Sequence, residues 1–265
     1  MRLSAAALCL ALAGSAAAAP APSFGSWMQD IAEKVVSNIE AIPDAVDSKI
    51  TGSIYLPTHK PSPLTTAAIS ASDLTKITYY AEYAAAAYCA PTTPTLSCLD
   101  NICPALQPSK ISKVLEFADG HFDSTGFVGV DKTRSEIVIT FRGSSSLENW
   151  MANMLMSRED VPQWCEGCEV HEGFWKAYNE QPQVLETVER LAGEYKNYTI
   201  TAVGHSLGGA LATLAAVELR VKGHTVDLYS YGAPRVGNRE FSEFATESGR
   251  NFRVTHRGML NRPDG

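Results

Sequence analysis

The stretch "TAVGHSLGGALATLAAVEL", residues 201–219, limits the possible folds more than any other. A serine stands in the pattern Gly204-His205-Ser206-Leu207-Gly208, between the strand-like "YTITAVG" and the helix-like "SLGGALATLAAVELRVKG". A strand that turns straight into a helix leaves no room for side chains beside the turn, which Gly204 and Gly208 satisfy. Such a turn belongs to an α/β architecture, in which crossover helices join parallel strands.

The rest of the chain fits that reading. "SASDLTKITYYAEYAAAAYC" predicts a helix to about Tyr88, with Ser72 or Asp73 as its cap. "KVLEFADG" and "STGFVGVDKTRSEIVITFRG" predict strands, the second ending at Arg142-Gly143. "EVHEGFWKAY" leads into the helix "PQVLETVERLAGEYKN", and Gly223 ends the helix after Ser206. "TVDLYSYGAP", "NREFSEFATESG" and "FRVTH" then read as strand, helix and strand. Strands alternating with helices imply a mostly parallel central sheet with helices on both faces.

The chain of 265 residues suffices for one large domain, and its net charge of -7 comes without a basic cluster. Nucleic acid is therefore not an expected partner, because phosphate binding needs grouped Lys and Arg. Residues 1–19, "MRLSAAALCLALAGSAAAA", carry one positive charge, an apolar run and a small-residue cleavage site. This is the pattern of a secretory signal peptide, and the expected location is extracellular. No other segment is long and apolar enough to span a membrane. Residues 20–66 hold a short amphipathic pattern (Trp27, Ile31, Val35, Ile39, Ile42) and a Pro-rich linker, read as a propeptide or N-terminal extension.

Five cysteines remain once Cys9 leaves with the signal. Export favours local pairs, Cys98 with Cys103 and Cys165 with Cys168; a redox or zinc role for Cys165-Glu-Gly-Cys168 is the weaker alternative. Cys89 is left over, as a free thiol or as half of a bond whose partner is missing. Asn197-Tyr198-Thr199 is an N-glycosylation sequon.

The chemistry concentrates at Ser206. Its hydroxyl would stand above the sheet, and the Leu207 N–H at the helix start would face a developing oxyanion. A second donor should come from an earlier strand-end loop, where Ser144 follows the strand ending at Phe141. Beyond it, Leu147, Trp150, Met151 and Met154 form an apolar stripe at helical spacing, suited to a lid or to a surface helix on the core. No metal or cofactor is implied.

The stretches "FRGSSSLENWMANM", "CEGCEVHEGF", "GHSLGGALATLAAVEL" and "YSYGAPRVGNREFSEF" resemble the secreted class 3 lipases of filamentous fungi, from about residue 70 to 256. The resemblance implies an α/β-hydrolase fold and a triacylglycerol lipase-like ester hydrolase. In it Ser206 is the nucleophile, Ser144 and Leu207 form the oxyanion hole, and the segment around Trp150 is a lid that opens at an oil–water interface. It also implies the two local disulfides and a bond from Cys89 to a cysteine near the C-terminus. Feruloyl esterases and mono- and diacylglycerol lipases are relatives.

A serine needs a base and the base an orienting carboxylate, in the order Ser, Asp or Glu, His. His224 and Asp227 flank the start of "TVDLYSY", the sheet edge opposite Ser206. His256 closes "FRVTH" at the correct edge but matches a position that is not the base in the resembled family. Met259 falls about where the aspartate belongs, and Asp264 lies in a tail without periodicity. The sequence thus reads as a lipase-like domain over 67–256, incomplete at its C-terminus, with a divergent tail over 257–265. A short non-catalytic lipid-surface binding protein and a feruloyl-type esterase are the rival readings. The substrate expected is a lipid or other ester; the oligomeric state is not legible.

Overall fold

The computed structural model describes residues 69–88, 103–106, 111–118, 122, 124–144 and 157–255. The leader, the extension with its amphipathic pattern, Cys89, Cys98, the 147–154 stripe, His256 and the tail lie outside the described residues. Backbone contacts divide the chain into two units, Met1–Thr78 with Thr255–Gly265, and Tyr79–Val254.

In the first unit, the described residues open helix α1 (Ala71–Ala86). Its cap is Ser70, two or three residues earlier than the sequence reading of Ser72 or Asp73. The Ser70 Oγ accepts from the Asp73 N–H at 3.0 Å, and its hydroxyl donates to the Asp73 carboxylate at 2.7 Å. Ser72 and Asp73 already lie inside the first turn, where the Asp73 carboxylate accepts from the cap hydroxyl rather than from the Ser70 N–H.

The second unit holds the sheet. Strands β1 (Ile111–Ala118), β2 (Thr125–Asp131) and β3 (Glu136–Phe141) form an antiparallel meander. Then β6 (Thr199–His205), β7 (Val226–Tyr231) and β8 (Asn251–Val254) add in parallel, in the order β1-β2-β3-β6-β7-β8. Three of the five strand pairings are parallel, as the strand–helix alternation requires. Between β3 and β6 a small hairpin, β4 (Arg158–Asp160) with β5 (Glu169–His171), precedes helices α2 (Glu172–Asn179) and α3 (Pro182–Glu194). The sequence reading merged α2 into the approach to α3. Its cap explains the miss: His171, not a usual capping residue, accepts from the Gly173 N–H through Nδ1 at 3.1 Å.

Both faces of the sheet are covered. Helix α4 (Leu207–Val221) buries Leu207, Leu211, Leu214 and Leu219 against Ile137, Ile139, Ala202 and Leu228, joined by residues of α2, α3 and α5 (Arg239–Glu247). On the opposite face Tyr80 of α1 lies 4.1 Å, centroid to centroid, from Tyr229 of β7. Gly223, with φ +94°, ends α4 where the sequence placed the stop.

Candidate active site

Register sets what meets at the carboxyl edge of the sheet. Phe141 of β3 is level with Gly204 of β6, and His205 is level with Tyr231 of β7. The loops after β3, β6 and β7 therefore leave the sheet side by side. Val254, the last residue of β8, is level with Tyr231 and departs at the same edge.

Ser206 occupies the turn from β6 to α4 with φ 56° and ψ -123°. An L-residue pays for such backbone in strain, and it persists only where its surroundings hold it. The Ser206 N–H donates to the Tyr231 carbonyl at 2.8 Å, and the Ser206 carbonyl accepts from Gly209 at 3.0 Å. The glycines beside it are steric necessities. A Cβ on Gly204 would stand 2.0 Å from the Gly208 carbonyl oxygen, and one on Gly208 would stand 2.1 Å from that of Phe141. The motif is thus the consequence of packing β3, β6 and the start of α4 at backbone contact.

The same closeness brings the β3 loop to the serine. A Cβ on Gly143 would lie 3.1 Å from Ser206 Cβ and 2.8 Å from the His205 carbonyl oxygen. Ser144 follows directly. Leu207 begins α4, so its N–H has no acceptor within the helix. The three residues singled out from sequence, Ser206, Ser144 and Leu207, therefore belong to adjoining loops.

Ser206 is 2% exposed, and its Oγ is buried with no hydrogen-bond partner among the described residues. Of the described histidines, His171 and His205 are engaged with other groups and His224 lies at the far edge. His171 caps α2 and rests on Phe174, 4.6 Å between centroids. His224 precedes β7 at the far edge, where Asp227 forms a two-pronged pair with Arg250, one contact at 2.9 Å. Their exclusion from the serine, argued from strand direction, holds. His205 sits under the elbow with Nδ1 2.8 Å from the Tyr88 hydroxyl, and burial pushes its pKa down to about 4.

Tyr88 was missed in the sequence, and so was a polar cluster at the other end of the sheet. There Tyr80 donates to Glu136 at 2.6 Å, while Tyr79 and Tyr83 reach Asp131 at 3.0 and 3.2 Å. Burial holds the Glu136 carboxyl above its usual range, against the lowering effects of Tyr80 and Arg134. The signal was present in the tyrosines at positions 79, 80 and 83, which helical spacing places near one another among alanines.

Cys165 and Cys168 form a disulfide, with Cα atoms 5.3 Å apart. Cys103 is also disulfide-bonded, to a partner outside the described residues. Among the described residues no cluster of His, Cys, Asp and Glu could hold a metal ion, and no helix is long and apolar enough to cross a membrane.

The family model described as Lipase (class 3) matches residues 138–258, which include Ser144, Ser206 and Leu207. The secreted mono- and diacylglycerol lipase A of Penicillium cyclopium is 36% identical over 204 residues, which cover 74% of this chain and 67% of that relative. The crystal structure of the Aspergillus oryzae mono- and diacylglycerol lipase is similar at 38% identity and a TM-score of 0.65, over 71% of this chain and 73% of that one. A triacylglycerol lipase, described as having a serine protease triad at its catalytic centre, aligns with a TM-score of 0.66 at 31% identity, over 74% and 76% of the two chains.

Proposed function

Because the chain belongs to the class 3 lipase family of secreted fungal enzymes, we propose that it is built to cleave acylglycerol esters at Ser206 outside the cell. One observation carries this reading: the strained backbone of Ser206, held by Tyr231 and packed against the Gly143–Ser144 loop. Ser206 Oγ attacks the ester carbonyl, and the proton it gives up is balanced by the one taken by the departing alcohol. The oxyanion forms beside the Leu207 and Ser144 N–H groups, the alcohol departs, and water releases the acyl group from the serine. The relatives' activities as mono- and diacylglycerol lipase and triacylglycerol lipase, carried in their names, favour a glyceride over an aryl ester. The Leu147, Trp150, Met151 and Met154 stripe, read as a lid, favours contact at an oil–water interface.

Among the described residues, His171 and His205 are engaged elsewhere and His224 lies at the far edge of the sheet, so none of these three is placed to serve Ser206 as its base. Cleavage of a nitrophenyl ester by this chain is expected to vanish in Ser206→Ala, because the acyl group passes through that hydroxyl. Cleavage that survives the substitution overturns the assignment of Ser206.

A further inference from the structure

We propose that Asn197 carries an N-linked glycan, at the end of the sheet opposite Ser206. Asn197-Tyr198-Thr199 is the sole Asn-X-Ser/Thr triplet in the sequence. It lies between the end of α3 at Glu194 and the first residue of β6, Thr199. The Tyr198 N–H closes this turn on the Tyr195 carbonyl at 2.9 Å, and the two tyrosine rings meet at 4.8 Å while packing against the core. The turn is thus anchored from inside by aromatic contact. Lys196, Asn197 and Thr199 remain exposed, and no hydrogen bond occupies the Asn197 carboxamide among the described residues.

Nothing in the fold depends on keeping that carboxamide bare. Thr199 is level with Glu136 at the start of β3, and β6 then runs seven residues to the elbow. At the rise of an extended chain, the glycan site and Ser206 stand on the order of 20 Å apart along the strand. A cavity of about 400 Å³ opens at the same edge, lined by Thr199, Arg220, His224, Asp227 and Arg250 among others. A hydrated glycan there leaves the carboxyl edge of the sheet free. That placement argument rests on the proposed ester cleavage at Ser206; the modification itself rests on export and on the exposed turn.

The transfer needs a polyprenyl pyrophosphate-linked oligosaccharide. The bond from the anomeric carbon to the pyrophosphate oxygen breaks, and that carbon bonds to Asn197 Nδ2. The nitrogen gives up one proton, and the polyprenyl pyrophosphate leaves with the bonding electron pair.

The test expresses the full chain with its own leader in a yeast host and maps the Asn197 peptide by mass, before and after treatment with a peptide-N-glycosidase in heavy-oxygen water. The secreted and cell-retained pools are both analysed, since the glycan is added on entry to the secretory pathway. The expected result is an oligosaccharide on Asn197 that is lost in Asn197→Gln and in Thr199→Ala and kept in Thr199→Ser. An unmodified Asn197 peptide in both pools overturns the proposal, as does a glycan that persists in Thr199→Ala. Failure of the catalytic reading shows separately, in the Ser206 dependence of ester cleavage, which Asn197→Gln leaves unchanged.

Discussion

At the scale of single residues, the elbow is a set of contacts with no slack. Adding one methyl at Gly204 drives it into the Gly208 carbonyl, and no flexible side chain is there to yield. Gly204→Ala is therefore expected to lower unfolding stability by roughly 1–3 kcal/mol, read as a shifted urea midpoint at unchanged slope; an unchanged midpoint refutes the close-contact account. His205 yields a second expectation. Burial depresses its pKa to about 4, whereas the unfolded residue titrates near its ordinary value of about 6.5. Between those values the unfolded chain binds more protons, so stability is full above the window and falls as pH drops through it, by at most about 1.4 kcal/mol per pH unit. Glu136, whose carboxyl is raised, acts in the opposite sense and is common to both proteins. The difference between wild type and His205→Gln then isolates the histidine, and parallel pH curves would show that His205 does not titrate differently on unfolding.

At the scale of elements, Asn238 joins three of them. Its side chain accepts from Phe241 at the start of α5 (3.0 Å) and from Glu169 of β5 (3.1 Å), and it donates to Gly167 in the Cys165–Cys168 turn (2.7 Å). Asn238→Ala removes a helix cap, leaving the buried Phe241 N–H and the part-buried Glu169 N–H and Gly167 carbonyl unpaired, and is expected to cost about 1–3 kcal/mol. Asn238→Asp keeps the cap acceptor and should cost less; equal losses in thermal or urea unfolding would mean that the cap contributes little. The sequence showed α5 by its period and its leading Asn, yet not the ties from Asn238 to Glu169 and Gly167. These span about seventy positions of chain and depend on how the β4–β5 hairpin folds back.

At the scale of the whole molecule, cysteine pairing reports how completely the chain is crosslinked. Cys165–Cys168 is formed and Cys103 is bonded. If Cys103 pairs locally with Cys98, the odd count leaves Cys89 as the remaining thiol. Alkylation of the unfolded, unreduced secreted chain is expected to label one cysteine, Cys89 by peptide mapping; label on Cys98 or Cys103 rejects the pairing. The sequence by itself determined the elbow, the alternation of strands and helices, and the edge to which His224 and Asp227 belong. Each follows from neighbouring residues, through local sterics, hydrophobic period and strand direction. Only the tertiary structure decided which loop lies against Ser206, because the level pairing of Phe141 with Gly204 is a property of sheet register. Only it joined Tyr88 to His205 across 117 positions and gathered Tyr80, Tyr83, Asp131 and Glu136 under α1. Such contacts form when separate elements pack; helical spacing groups the tyrosines on α1, but the partners they meet come from distant strands.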